Sequence, residues 1–467
     1  MIRISDLNWG ILEIFSLIII FIVGFISTYL LLPYIIKIMK NKGYTGYDIH
    51  KNDRPEVAES GGISMVLGVI FSSILLMVLF PSFFNWILIF ILTVILAGII
   101  GFIDDRVKLK SRYKIGLTIF TGSIIFFANY FGYISINSPI VPILGQTRLS
   151  ILYPLVIPII VAVFANTTNM LEGYNGEGSG TCLIAACFIF ICSLIWDSAE
   201  ALLFSIITIA VIIPFFIFNR YPAKIFPGDI GTLSMGAMFA CIALFGSIEV
   251  AVFCALLIHI FNSFYVISSL KGFIESAKIR ETKFDIILLE NNLIKASDQK
   301  NAALTLPRLI LAKGPLKEPE IVKNFYIISI ICGFFSIIAV LLMRWTIGNL
   351  NFGVVIIVIL ILLIPTVILL YKFPRIRGVI ALMILLLLAS VVFLVLIDLI
   401  VMPLKYPDIN LIIVEVPVNI ALSFLLYFPM LMLWYYITIK FFWLEINKMK
   451  KLQSNQKIIL KDNLKAN

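Results

Sequence analysis

The chain alternates between long apolar runs and short polar segments along almost its whole length. A run of about 18 or more apolar residues is long enough to cross a bilayer as a helix. Because lipid offers the backbone no hydrogen-bond partners, such runs must be helical. The pattern therefore predicts an all-α integral membrane protein. It predicts about thirteen transmembrane helices, near 11–33, 63–81, 84–102, 115–134, 149–165, 180–196, 201–218, 231–247, 249–270, 325–343, 352–371, 378–402 and 411–439.

The distribution of Lys and Arg predicts the orientation of the chain. If the N-terminus lies outside, all but four of the 36 basic residues fall in segments on the inner side. The four exceptions are Arg3, Arg148, Arg344 and Lys405. Because basic residues are enriched in cytoplasmic loops, we predict an outside N-terminus and a cytoplasmic C-terminus. The polar segments that carry candidate chemistry then all face the cytoplasm.

The composition narrows the class of protein further. Hydrophobic residues make up 61% of the chain and charged residues only 13%. In a soluble domain, about a quarter of the residues are charged. The net charge of +10 would suggest nucleic acid in a soluble protein. Here the charge follows the inner loops, so we predict no nucleic-acid partner. The six cysteines lie in apolar runs without a CxxC pair, which favours core packing over a disulfide or zinc framework.

The segment 101–114 joins an acidic pair to a basic cluster. Asp104 and Asp105 follow an apolar run, and five basic residues, the last of them Lys114, come next. Adjacent carboxylates repel each other unless a metal ion or another cation lies close, and Lys and Arg suit phosphate. The segment therefore suggests metal-assisted chemistry on a phosphorylated substrate. The alternative is a charged turn that only follows the positive-inside rule.

Other inner segments carry candidate groups, each with a simpler alternative. Asp48 and Glu56 could hold polar groups of a sugar or base, although loops are polar anyway. The segment 166–180 lacks Lys and Arg, and its Asn and Glu oxygens suit a hard cation such as Mg²⁺. The alternative there is a flexible glycine linker. Asp229, between two glycines, is either a ligand or a helix N-cap, and the basic residues of 271–324 could bind diphosphate or lipid head groups.

In this order, the segments resemble the polyprenyl-phosphate N-acetylhexosamine-1-phosphate transferase superfamily, which is glycosyltransferase family 4. The similarity covers about residues 15–345 and is greatest to the branch that acts on UDP-N-acetylglucosamine and dolichyl phosphate. The matching motifs are Pro55-Glu56 with Gly61-Gly62, Gly101-Phe102-x-Asp104-Asp105 with Leu109, Arg112 and Lys114, Asn166-x-x-Asn169-x-x-x-Gly173-x-Asn175-Gly176, Asn219-x-Tyr221-Pro222, Phe226-x-Gly228-Asp229 and Pro307-Arg308-Leu309.

The resemblance implies a reaction and a cofactor. N-acetylglucosamine 1-phosphate would pass from the UDP-sugar to polyprenyl (dolichyl) phosphate, with release of UMP, as the first step of lipid-linked glycan assembly. Mg²⁺ would be required. The implied roles are catalysis for Asp104, Asp105 and Lys114, metal binding for Asn169 and Asp229, and contact with the nucleotide sugar for Asp48, Glu56 and Asn175.

The chain departs from the family just before Pro307. The bacterial branches carry a His-rich motif in this loop and the dolichol branch an Arg-rich stretch, but this chain reads Ala302-Ala303-Leu304-Thr305-Leu306. Arg308 or Lys300 could supply the missing cation, and we predict Arg308 as the substrate-binding one. All motifs lie before Lys313. We therefore predict a ten-span transferase core over 1–345, three extra spans over 346–445 that the chemistry does not need, and a basic tail over 446–467.

Other functions stay open at this point. The same chemistry could use another UDP-activated N-acetylated sugar or a sugar-peptide. A chain with so many spans could also be a secondary transporter, although transporters usually carry polar or broken helices at mid-span. The composition, rich in Ile, Lys and Asn, suggests an archaeal source. The sequence also leaves a homodimer open.

Overall fold

The computed structural model describes residues 2–7, 9–146, 152–272, 284–401, 409–411, 414–416 and 418–466. The apolar runs form α-helices, because a helix satisfies its own backbone in lipid. In chain order the helices are α1 (Ile11–Asn41), α2 (Gly62–Leu79), α3 (Phe84–Val107), α4 (Ser111–Tyr130), α5 (Leu152–Leu171), α6 (Glu177–Trp196), α7 (Ala199–Asn219), α8 (Gly228–Gly246), α9 (Glu249–Ala255), α10 (Leu257–Leu270), α11 (Leu306–Leu311), α12 (Glu318–Thr346), α13 (Phe352–Lys372), α14 (Arg377–Val401) and α15 (Val418–Ala466).

Nine of the helices in the described ranges are long and apolar enough to cross a membrane. The predicted span at 249–270 is instead two helices, α9 and α10, bent by 72°, and counting them as one span gives ten. Three helices, α4, α14 and α15, are not among these nine. They overlap the predicted spans at 115–134, 378–402 and 411–439. The chain is thus a multi-pass helical membrane protein, while the count of thirteen and the orientation stay predictions.

Short strands lie between the helices, which the sequence analysis did not predict. Each pair of neighbouring strands is antiparallel: β1 with β2, β3 with β4, β5 with β6, β6 with β7, and β8 with β9. The strands are β1 (Thr45–Tyr47), β2 (Glu56–Ala58), β3 (Ile140–Val141), β4 (Gly145–Gln146), β5 (Ile286–Leu288), β6 (Leu293–Ala296), β7 (Leu316–Lys317), β8 (Ile409–Leu411) and β9 (Val414–Val416). They satisfy backbone groups in the segments between helices.

The chain forms two compact units, and the first contains Met1–Ile49, Asp53–Ser263 and Phe325–Leu369. Its centre is α8, which packs against α2, α3, α5 and α7. The apolar window of α8 is 89% buried, the largest share among the nine helices. Glycines allow this close packing: a Cβ on Gly62 would lie 2.2 Å from the backbone of Gly231, and one on Gly236 would lie 2.4 Å from Cα of Ala165. Small residues at helix contacts let backbones approach closely in membranes.

The second unit contains His50–Asn52, Phe264–Asn324 and Leu370–Asn467. Within it, α14 packs against α15, and the sheet β5–β6–β7 packs against α11. A salt bridge of 2.9 Å joins Lys450 of α15 to Asp298, which lies between β6 and α11. The C-terminal helices therefore form one unit with residues 284–324. This division does not follow the predicted boundary at 345/346, and whether the chemistry needs 346–467 stays a prediction.

Candidate active site

The acidic pair lies in the last turn of α3, and its two carboxylates face different partners. Asp104 accepts a hydrogen bond from the backbone N–H of Leu109 (2.6 Å). Asp105 accepts one from the backbone N–H of Asp229 (2.7 Å) and one from the hydroxyl of Ser60 (3.0 Å). Successive residues of an α-helix point about 100° apart, so adjacent carboxylates reach different elements. The pair is thus built into the structure and is more than a charged turn.

Lys114, in the first turn of α4, joins three acceptors from three other helices. Its ammonium forms a salt bridge of 2.6 Å with Asp104 and donates to the side-chain oxygen of Asn169 at 3.0 Å. It also forms a short salt bridge with Asp229. These contacts use all three donors of an ammonium group. Only 14% of the Lys114 side chain is exposed, so its charge is held in place by the carboxylates.

Asn169 and Asp229 meet where α5 ends and α8 begins. The amide nitrogen of Asn169 donates to Asp229 (2.7 Å) and to the hydroxyl of Thr232 (2.8 Å). The N-cap of α8 is Pro227, and no side chain caps this helix. The N-cap interpretation of Asp229 is therefore wrong. Its carboxylate instead pairs with Lys114 and accepts a hydrogen bond from Asn169. The side chain of Asp229 is 28% exposed, so the cluster has an open side.

Two glycines make this arrangement possible. A Cβ on Gly101 would lie 2.4 Å from the backbone carbonyl of Asp229, so only glycine lets α3 approach the start of α8 there. Gly228 has a φ of +64°, and a Cβ on it would lie 2.5 Å from the Asp105 carboxylate. Glycine adopts positive φ without the steric cost of a side chain. The glycines of both motifs thus place the carboxylates.

Sequence analysis missed two further contributors, Ser60 and Arg106. Phe226 donates its backbone N–H to the carbonyl of Ala58 (2.8 Å), and this pairing holds the segment of Ser60 beside the start of α8. Arg106 donates to the Ser60 hydroxyl (3.2 Å), which in turn donates to Asp105. The guanidinium also stacks on the ring of Tyr44, 3.4 Å from its centroid. Arg106 directly follows the acidic pair, and this position could have indicated a role in holding Asp105.

The predicted nucleotide-sugar residues have their own contacts in the first unit. Asn175 donates to the carboxylate of Asp48 (2.9 Å), and both side chains are buried. The exposed Glu56, on β2, accepts a hydrogen bond from Thr45. The structure therefore brings Asp48 and Asn175 together from loops that are 127 residues apart in sequence.

Arg308, the predicted substrate-binding cation, lies among backbone carbonyls of its own segment. Its five N–H donors all go to backbone carbonyls, those of Ser297, Gln299, Ala302 and Ala303. The guanidinium also lies over the ring of Phe442, 4.6 Å from its centroid, and the residue is only 2% exposed. Burial lowers the pKa of Arg308 to about 10. This arrangement does not favour the predicted contact with phosphate, because no N–H is left to donate.

The Lys114 cluster has the chemistry of a cation and phosphate site. Asp104, Asn169 and Asp229 direct side-chain oxygens at one cationic atom, and Asp105 is bonded to the same helix start. Oxygen ligands of this kind are the ones that Mg²⁺ and similar hard cations prefer. Three carboxylates against the Lys114 ammonium and the Arg106 guanidinium leave an excess of one negative charge, so the cluster can accept a further cation.

Comparisons with known proteins identify the family of the chain. The model of glycosyl transferase family 4 matches residues 87–247, which contain Asp104, Asp105, Lys114, Asn169 and Asp229. A Methanocaldococcus jannaschii protein, provisionally named a glycosyltransferase, is 32% identical over 69% of this chain and 95% of its own. A Sulfolobus acidocaldarius protein is 31% identical over 70% of this chain and 96% of its own. It is provisionally named a UDP-N-acetylglucosamine–dolichyl-phosphate N-acetylglucosaminephosphotransferase.

A phospho-N-acetylmuramoyl-pentapeptide-transferase of Wolbachia pipientis is 28% identical over 68% of this chain and 97% of its own. Each of these three relatives is matched over nearly its whole length, whereas about a third of this chain lies outside each match. The resemblance that the motifs predicted is confirmed, and the chain belongs to glycosyltransferase family 4.

Proposed function

We propose that this protein transfers N-acetylglucosamine 1-phosphate from UDP-N-acetylglucosamine to a polyprenyl phosphate such as dolichyl phosphate. An oxygen of the lipid phosphate attacks the phosphorus that carries the sugar, the bond from that phosphorus to the UMP oxygen breaks, and UMP leaves. The observation that carries the proposal is the cluster in which Lys114 joins Asp104, Asn169 and Asp229. Family membership and the names of the relatives support the same general reaction.

The charges of the substrates explain why such a cluster is needed. The attacking group and the group under attack are both phosphates, so they repel each other until cations neutralise them. We propose Mg²⁺ as the metal, held by Asp229 and Asn169. The donor set fits, because oxygens of both residues already lie on one cation, the Lys114 ammonium. When bound, Mg²⁺ would neutralise phosphate oxygens and the charge that grows on the leaving UMP.

The residues of the chain divide the remaining work. Lys114 would exchange one of its present acceptors for a substrate phosphate, and Asp104 would keep the ammonium in place through their salt bridge. Asp105 touches the backbone N–H of Asp229, so its contacts favour a role in positioning the start of α8. Asp48 and Asn175, bonded to each other, are proposed to contact the nucleotide sugar.

The proposal includes a location in the membrane. The distribution of basic residues supports an outside N-terminus, a cytoplasmic C-terminus and a Lys114 cluster on the cytoplasmic face. UDP-sugars are cytoplasmic metabolites, so this orientation would give the site direct access to its donor. Cysteine-accessibility labelling of single-cysteine variants in whole cells and in inverted vesicles would test it.

The experiment that tests the reaction uses the purified full chain with UDP-N-acetylglucosamine, Mg²⁺ and short-chain dolichyl phosphate. We expect UMP release that needs the lipid and stops with a chelator. Asp229→Asn serves as the inactive control. A well-folded protein that binds the UDP-sugar but releases no UMP would contradict the proposal, and such a result would favour a transporter.

One observation supports a second sugar-nucleotide substrate. The Wolbachia relative is named for a phospho-N-acetylmuramoyl-pentapeptide substrate and matches this chain over nearly its whole length. A parallel assay with UDP-N-acetylmuramoyl-pentapeptide therefore belongs beside the first. We expect the higher kcat/KM with UDP-N-acetylglucosamine, and the reverse order would reassign the sugar while leaving the chemistry unchanged.

A further inference from the structure

The second unit contains a group of four cations that the proposed reaction does not use. We call it the basic cluster, and it consists of Lys313, Arg375, Arg377 and Lys448. These residues come from three distant parts of the sequence: the segment after α11, the turn between α13 and α14, and the later part of α15. None of them belongs to the motifs of the transferase family that the sequence carries.

Backbone contacts hold the four side chains at one place. Lys313 donates to the carbonyl of Pro374 (3.0 Å), and Arg375 donates to the carbonyl of Gly314 (2.8 Å). Gly314 also lies against α15, because a Cβ on it would be 3.3 Å from the side chain of Met449, the neighbour of Lys448. The two turns therefore contact each other beside α15, and the charge of Lys448 acts on Lys313.

The charges of the basic cluster are not balanced within the part of the chain that the structure describes. None of the four side chains makes an ion pair with a described carboxylate, and their hydrogen bonds go to backbone carbonyls. Lys313 and Arg375 are half-buried. The pKa of Lys313 is lowered, first by burial and also by the charges of Arg377, Lys448 and Arg375, although Glu445 acts in the opposite direction. Glu320 acts on Arg375 in the same direction, so two carboxylates oppose four cations, and the remaining positive charge suits an anionic ligand.

Helix capping explains only one member of the basic cluster. Arg377 donates to the carbonyls of Leu370 (2.6 Å) and Tyr371 (3.0 Å) at the end of α13, and cations are favourable at that end of a helix. The other three cap no helix in this way. The turn that carries Arg375 and leads into Arg377, the first residue of α14, joins α13, a candidate membrane span, to another apolar helix. It therefore lies at a membrane surface, where phosphates of lipid head groups are the abundant anions.

We propose that the basic cluster is a binding site for the phosphodiester head group of an anionic membrane lipid, separate from the substrate lipid of the transferase reaction. Basic pockets at the ends of transmembrane helices bind such head groups, and each Lys or Arg near an anionic surface contributes a factor of about five in affinity. The site would tie the segment 284–324 and α15 to the membrane. This proposal does not depend on the proposed function, because it concerns the second unit alone.

The test measures lipid binding to the purified full chain in detergent. Phosphatidylglycerol, phosphatidylcholine and inorganic phosphate are titrated separately, with bound lipid counted by native mass spectrometry and the melting temperature followed in parallel. The variant is Lys313→Gln, Arg375→Gln, Lys448→Gln, which removes three charges and keeps Arg377 as a helix cap. The matched control is Lys37→Gln, Lys40→Gln, Lys42→Gln, which removes three exposed charges at the end of α1.

We expect phosphatidylglycerol to bind and to raise the melting temperature, and the other two compounds to do neither. Binding should be roughly a hundredfold weaker in the variant, from three factors of about five, and unchanged in the control. Equal losses in variant and control would mean unspecific attraction and would overturn the proposal. Equal effects of inorganic phosphate, or of phosphatidylcholine, would overturn the assignment to anionic lipid. If the triple variant does not fold, the single change Lys448→Gln, at an exposed residue, should still weaken binding about fivefold.

Discussion

Arg308 offers the sharpest test of the structure, because the sequence and the structure suggest different roles for it. The sequence predicts a substrate contact, in which case Arg308→Ala would raise KM for the UDP-sugar and leave the fold intact. In the structure the guanidinium instead binds four backbone carbonyls in the second unit. We therefore expect Arg308→Ala to destabilise the protein and to change KM little in the molecules that stay folded.

The magnitude follows from the contacts that the substitution removes. A buried acceptor that loses its donor costs about 1–3 kcal/mol, and the stacking on Phe442 is worth about 1 kcal/mol. Some of the four carbonyls would regain water in the space left behind. A loss of about 4 kcal/mol is then a fair expectation for Arg308→Ala. Arg308→Lys keeps a charge but has three donors in place of five, so we expect it to lose about half as much.

The assay is thermal unfolding of the purified protein, followed by intrinsic fluorescence, beside steady-state kinetics well below the melting temperature. Lys300→Ala is the matched control, because Lys300 is an exposed cation of the same segment. We expect the melting temperature to fall in the order wild type and Lys300→Ala, then Arg308→Lys, then Arg308→Ala. An Arg308→Ala protein that melts like wild type but shows a much higher KM would refute this reasoning and restore the phosphate contact.

Four other changes test the remaining parts of the structure. Asp229→Asn should lower kcat roughly a hundredfold or more without changing membrane insertion, and activity within tenfold of wild type at saturating Mg²⁺ would remove Asp229 from the metal site. Arg106→Ala should lower kcat about tenfold through the Ser60–Asp105 contact, with partial recovery in Arg106→Lys; equal kcat in all three proteins would leave Arg106 no role in positioning. Gly101→Ala should destabilise by about 1–3 kcal/mol through its clash with α8, which a melting curve would show, and an unchanged curve would contradict that close approach. Truncation after Arg344 removes the α15 partners of Arg308 and Asp298, so we expect faster proteolysis within 284–324, and an equally resistant segment would contradict that stabilising role of α15. Transferase activity in the truncated protein would support the prediction that the chemistry does not need 346–467.

The sequence by itself determined the class of protein, most of the spans and the family. Long apolar runs must become helices in a bilayer whatever their neighbours are, so a local pattern is enough to find them. The motifs around Asp104, Asn169 and Asp229 were visible because polar residues at the ends of apolar runs are unusual. The same local pattern could not predict that 249–270 is bent by 72°, since the residues on both sides of the bend are mostly apolar.

Tertiary structure alone decided which partners each polar group meets. The contact between Asp105 and the backbone of Asp229 joins residues 124 positions apart, and it depends on how closely α3 and α8 approach each other. Arg308 shows the same limit, because a basic residue beside a proline can bind phosphate or backbone carbonyls equally well. The choice is made by the carbonyls that the fold collects around it. Hydrophobic periodicity reports which side of an element is apolar, but packing distances and crossing angles set the contacts between elements, and these are properties of the assembled chain.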